Sequence, residues 1–302
     1  MKMRLIGIMA SALIFSTAGA AQQAKDYKTN ISSLGANAVY KQMWPKDRRE
    51  VITAISSGKK EWLEVAIAIR EVANAHDAED LDAAFSAAIT RSPGNALQFV
   101  GAPFRANIVC TPRMTEPEPH ELDVYFHKTM QALESVTDKS LADSKTLCLY
   151  YLRHSKAQID AIDELKLARL TPQGLLAELA KNGAQQTVKN LQDTKHWDAV
   201  LARIGAGNPQ EWIVFAYALR TVTDSLEAIK IELANALHTS PNQVLSSIKD
   251  DETLRMICSL TNANLERVVV DDLKAQIKGS ILPLTKMGSA SERAKICLDA
   301  LN

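Results

Sequence analysis

Residues 61–70 read EWLEVAIAIR and residues 211–220 read EWIVFAYALR, one segment written twice at a spacing of 150. Trp62, Val65, Ala66 and Ile69 fall at i, i+3, i+4 and i+7, and Trp212, Phe215, Ala216 and Leu219 repeat the pattern. That spacing predicts a single apolar helical face, which in a water-soluble chain must be covered by other helices. Ala68 and Ala218 widen the stripe, so coverage on more than one side is expected. Arg70 and Arg220 close the two segments, where a cation suits the negative end of the helix dipole and can bond free carbonyls. The repeated Trp62, Arg70, Trp212 and Arg220 are read as core and helix-end positions, with a ligand-binding Trp/Arg pair as the alternative.

The match spreads in both directions. LGANAVYKQ (34–42) resembles NGAQQTVKN (182–190), and TRSPGNALQFV (90–100) resembles HTSPNQVLSSI (238–248). TLCLYYL (146–152) then answers KICLDAL (295–301). A unit of about 130 residues is too long for a solenoid repeat. A duplicated domain is the better reading: two tandem, homologous all-α domains of about six or seven helices each, over 21–155 and 156–302. Aromatics make up 5% of the chain, and alternating β-branched segments are nearly missing, which also favours helix over sheet. Ser92-Pro93 and Ser240-Pro241 read as helix starts, with Ser as cap and Pro at the first helical position. Ser140 with Asp143 resembles a capping box for the last helix of the first copy. Ile159, Ile162 and Leu165 suggest that this helix runs on, with Thr171-Pro172 opening the second copy.

Each copy carries two cysteines at matching places, Cys110 and Cys148, then Cys258 and Cys297. Four cysteines permit three pairings. An ancestral single unit can pair only its own two, so Cys110–Cys148 and Cys258–Cys297 are expected. The N-terminus agrees with an oxidising destination. Lys2 and Arg4 precede an apolar run from Leu5 to Phe15, and Ala18-Gly19-Ala20 supplies small residues for cleavage, so 1–20 reads as a secretory signal peptide. Cleavage near Ala20 would leave a periplasmic or secreted protein of a Gram-negative bacterium with no membrane-spanning segment.

Charges balance at 35 of each sign, so no general field recruits nucleic acid. No nucleotide-binding, zinc-protease or serine-hydrolase motif occurs. Ser57-Gly58-Lys59-Lys60 fits a serine–lysine spacing, but it falls in an expected turn and its companion motifs are missing. His120 and His127 lie too far apart on one helix to share a metal, and Asp123 with His127 makes only a conceivable pair. No catalytic residue, metal site or cofactor is assigned, and binding is favoured over catalysis. Features present in one copy alone are better functional candidates, because the scaffold does not need them twice. The loop CTPRMTEPEPHE (110–121), with Pro112, Arg113, Pro117 and Pro119, is either a stiff contact loop or a connector.

A small exported helical domain with one disulfide resembles, in architecture, the periplasmic immunity proteins that neutralise secreted cell-wall toxins. That resemblance implies a toxin as the partner. The wider expectation is a non-catalytic exported protein that binds another protein or an envelope component. An envelope-polymer hydrolase or lyase is the alternative.

Overall fold

Every regular element among the described residues is a helix in the computed structural model, and no strand occurs among them. The structure describes residues 17–42, 44–114, 118–222, 225–260, 263–286 and 290–302, without the side chains of 17–21. The apolar run proposed as a signal sequence and Pro117 therefore lie outside the described residues. Contacts divide the chain into two compact units. The first takes the chain up to Val109, with Arg113, Met114 and Gln131–Thr137; the second takes Cys110–Pro112, Glu118–Met130 and Asp138–Asn302. The repeat boundary read after residue 155 falls inside a helix of the second unit.

The first unit is built from α1 (Thr17–Leu34), α2 (Ala36–Gln42), α3 (Trp44–Ser56), α4 (Lys60–Arg70), α5 (Ala75–Arg91), α6 (Pro93–Ala96) and α7 (Ala106–Val109). The repeated segment EWLEVAIAIR is α4. It packs against α1, α2, α3, α5 and α6, as its wide stripe requires. Trp62, Leu63, Val65, Ala66 and Ile69 are buried. Trp62 meets the ring of Tyr27 at 5.8 Å, and Phe85 stacks on Phe104 at 4.1 Å. Arg70 does not bond the helix-end carbonyls. Its Nε and Nη2 donate to the two carboxylate oxygens of Asp82 on α5, at 2.8 and 3.1 Å. A buried carboxylate needs such a partner, and the two-pronged guanidinium supplies it.

The second unit begins with the first part of α8 (Pro119–Glu134) and continues through α9 (Ala142–Leu167), α10 (Pro172–Asn182), α11 (Ala184–Asp193), α12 (Trp197–Ala206) and α13 (Glu211–Ala218). It ends with α14 (Leu226–Thr239), α15 (Pro241–Ser247), α16 (Asp251–Ser259), α17 (Arg267–Ile281) and α18 (Ser291–Leu301). One hydrophobic core runs from Ala161 and Leu165 on α9, through Ile204, Trp212 and Phe215, to Leu273, Ile277 and Leu301. Arg220 lies over the Tyr217 ring at 4.1 Å and donates to the Tyr217 carbonyl at 3.0 Å. Asp250 caps α16 by accepting from the Thr253 amide at 2.7 Å. The Tyr217 hydroxyl donates to the same carboxylate, and together these bonds hold Asp250 down at about pKa 2.

Disulfides join Cys110 to Cys148 and Cys258 to Cys297, spanning 38 and 39 positions. Both belong to the second unit by contact. The second bond fastens α16 to α18 inside the core. Two disulfides fit an oxidising compartment. No helix among the described residues is long and apolar enough to cross a membrane.

Several local readings need correction. The described residues form eighteen α-helices, nine before residue 168 and nine after it, where six or seven per half were expected. The surplus includes pieces such as α7, four residues long and too short to show a helical period. Ser140 does not cap α9. Asp138 instead accepts from the Ser140 amide and hydroxyl, starting a short 3-10 turn at Lys139. Ser92 and Ser240 occupy the cap positions but make no side-chain cap bond. They pack against two glycines instead. Gly58 at φ +73° and Gly207 at φ +72° follow α3 and α12, and an added Cβ would stand 2.5 Å from Ser92 Cβ and 2.9 Å from Ser240 Cβ. Left-handed backbone and close contact together leave room only for glycine.

Candidate functional site

The expected contact loop is only partly described. Pro112 is half-buried, and Pro119 is the exposed first residue of α8. Arg113 is exposed, and its Nε donates to the Ile108 carbonyl at 3.0 Å. Ser57 gives its hydroxyl to the Ala54 carbonyl at 2.6 Å, so the serine–lysine spacing makes a helix end. His120 and His127 are exposed on α8, and Asp123 faces Lys156 at 3.7 Å. His76, Asp77 and Asp80 do bring ligand atoms within 4.8 Å of one another. The Arg48 guanidinium fills that space, bonded to Asp80, 2.9 Å from His76 and 3.3 Å from Asp77, so the cluster already holds its cation.

A concave surface lies in the second unit, between α9 and the start of α17. α9 buries different faces along its length. Cys148, Tyr151 and Leu152 are buried in its first half, and Ala161 and Leu165, turned to another face, are buried in its second. Thr146, Leu149, Tyr150, Arg153, His154 and Ala157, at three-to-four spacing on the face away from Cys148 and Leu152, line a cavity of about 790 Å³. The opposite wall is Asn264, Leu265, Glu266, Arg267 and Val269. The Tyr151 hydroxyl ties the two helices by donating to Asp272 at 2.7 Å, and Gln276 donates to Tyr151 at 2.7 Å. Burial and the Asp272 charge raise the Tyr151 phenol far above its ordinary range, so it stays a neutral donor.

Beneath the cavity lies a half-buried polar cluster around buried Asn235. The Tyr150 hydroxyl donates to Asn235 Oδ1 at 3.1 Å, and Asn235 Nδ2 donates to Glu232 Oε2 at 3.3 Å. The rings of Tyr150 and His154 are nearly parallel, with centroids 6.0 Å apart. Gln158 Nε2 donates to His154 Nε2 at 2.8 Å, which places the ring proton on Nδ1, 3.9 Å from Glu232 Oε2. Loss of water disfavours charge on both partners. Burial pushes Glu232 up to about 8 and His154 down to about 4. At neutral pH the cluster is therefore an uncharged carboxylic acid beside an uncharged imidazole. Gly205 on α12 makes the space: a Cβ there would lie 1.9 Å from Glu232 Oε2 and 3.1 Å from His154 Cε1.

No part of this cluster was assigned from the sequence, although one signal was available. At the 148-residue offset that aligns Ser92-Pro93 with Ser240-Pro241, Glu232 and Asn235 stand opposite Ala84 and Ala87. In the cysteine-anchored match, Tyr150 stands opposite Asp299. A polar residue on a helical face that is alanine in the other half marks a place the scaffold does not require. The repeated Trp62 and Trp212 are buried in the two units, and the cavity uses neither. Chemically, the site offers two guanidinium groups, a phenol, a neutral imidazole and a proton-bearing carboxyl. Compared with protein families, curated proteins and solved structures, the chain finds no match.

Proposed function

We propose that the protein is an exported, non-catalytic helical binding protein that engages a protein or envelope component through the α9–α17 cleft. The observation that carries this reading is the cleft itself: about 790 Å³, walled by two helices that Tyr151, Asp272 and Gln276 bind together. Rigid walls with a few convergent polar groups are the usual form of a recognition site. Its origin is a doubling of one helical domain with one disulfide. The near-identical conformations of Gly58 and Gly207, the two Ser-Pro starts and the matched cysteines support that origin. Export rests on residues 1–20 and on the disulfides; the exported chain should begin at Ala21, which N-terminal sequencing reads directly.

Photo-crosslinking in the living cell tests the binding role. A crosslinker at position 153 or 267 should capture a discrete partner that one at Arg255, exposed elsewhere on the second unit, does not. The same adducts from all three positions would defeat the reading. In its immunity version the partner is a secreted cell-wall toxin, and bacterial survival of that toxin must then depend on this gene.

Glu232 favours a second reading, an envelope-polymer hydrolase or lyase, because a carboxyl that keeps its proton near pH 7 can serve as a general acid. Release of soluble fragments from purified sacculi, lost in Glu232→Gln, would establish that reading. Intact sacculi would leave the binding role in place.

A further inference from the structure

We propose that the α9–α17 cleft recognises a carboxylate-bearing ligand, seated between Arg153 on α9 and Arg267 at the start of α17. The proposal rests on the binding role assigned above and names its chemistry. Arg153 on α9 and Arg267 on α17 both line one cavity, Arg267 at its exposed mouth, and Glu266 is the single acid among the described lining residues. A guanidinium is planar and always charged, and its paired N–H groups match the two oxygens of a carboxylate. The floor adds no opposing charge. Glu232, the half-buried acid beside His154, holds its proton at neutral pH, and the Tyr150 phenol is raised well above its ordinary range by loss of water. Thr146 and Asn264 line the same space and offer neutral hydrogen-bonding groups.

Arg267 is also able to exchange its partner. Arg153 is exposed, and Arg267 is 93% exposed, its contact with Asp271 a 3.6 Å surface pair. Such pairs are weak in water, so a ligand carboxylate at the cleft mouth competes on good terms. Leu149, Leu265 and Val269 flank the polar groups, which suits a ligand with a short apolar part beside its carboxylate.

The test titrates the full mature chain with glutarate, inorganic phosphate and a neutral diamide of glutarate at constant ionic strength, following heat or amide shifts. Glutarate should bind saturably and the diamide should not. Arg153→Gln and Arg267→Gln should each weaken glutarate about tenfold or more, the scale of one charge-assisted contact. Arg255→Gln, which removes the same charge elsewhere on the second unit, should leave binding unchanged. Circular dichroism of every variant verifies that the fold is intact. No saturable glutarate binding, an equal loss in Arg255→Gln, or phosphate binding tighter than glutarate overturns the carboxylate assignment. Crosslinking from positions 153 and 267 separates the two claims. A cleft-specific partner with no glutarate binding removes the ligand class alone, whereas failure of both removes the binding role as well.

Discussion

Replacing Glu232 with glutamine should change how stability depends on pH, in a direction fixed by the burial of the Glu232–His154 pair. Glu232 rises from its ordinary 4.5 to about 8, and His154 falls from 6.5 to about 4. A raised pKa means stability that is fully present below 4.5 and lost as pH climbs through 8. A lowered pKa means stability present above 6.5 and lost as pH falls through 4. Between pH 4.5 and 6.5 the folded pair keeps its proton on Glu232 and the unfolded chain keeps it on His154. The counts are equal, so the pair contributes a plateau. From pH 6.5 to 8 only the folded state holds the proton, and stability falls by about 1.4 kcal/mol per pH unit, about 2 kcal/mol in all. In Glu232→Gln the His154 contribution stands alone. That variant should gain about 3 kcal/mol between pH 4 and 6.5 and then stay flat. The two curves separate by about 5 kcal/mol between pH 4.5 and 8, because only the unaltered chain carries a carboxyl that rises from 4.5 to about 8 on folding. Urea unfolding followed by circular dichroism at pH 4.5, 6.5 and 8 measures this difference. Parallel pH profiles for the two proteins would refute the burial argument and its account of the cleft floor.

The remaining predictions concern the scaffold. Cys258→Ser with Cys297→Ser should cost about 4 kcal/mol, because the bond closes a loop of 39 positions, read as a lowered urea midpoint. Arg70→Met should cost about 3 kcal/mol by leaving buried Asp82 without its guanidinium. Adding Asp82→Leu should recover most of that loss, and no recovery would mean that the pair itself is not responsible. Gly207→Ala should lose about 2 kcal/mol from left-handed backbone and the Ser240 contact. Gly279→Ala, in open space within α17, should gain about 0.5–1 kcal/mol of thermal stability.

Helical character and the cysteine pairs were legible in the chain because both are written in short, repeated signals. The i, i+3, i+4, i+7 stripe of EWLEVAIAIR reports a buried helix wherever it occurs, and α4 buries that stripe. The caps were less legible. Ser140 and Ser92 look like caps by type, but Asp138 competes for the first and tight packing against Gly58 absorbs the second. The cleft was legible only in the polar Glu232 and Asn235 standing where the other half has Ala84 and Ala87, a signal that marks single residues and not their meeting in space. Tyr150, His154, Glu232, Asn235 and Gly205 come from three helices spread over 85 residues, and each is unremarkable in its own segment.

Sequence alone determined what depends on neighbours along the chain: which segments coil into helices, which faces are apolar, and which segments recur 150 residues apart. Tertiary structure decided what depends on neighbours in space. The loss of water around Glu232, the partner chosen by Arg70 and the placing of Arg153 and Arg267 on one cavity follow from which helices pack together. Hydrophobic periodicity says that a face must be covered but not by what, because burial of apolar surface is non-directional. Only the packed chain assigns each polar side chain its partner, and with it the charge it carries.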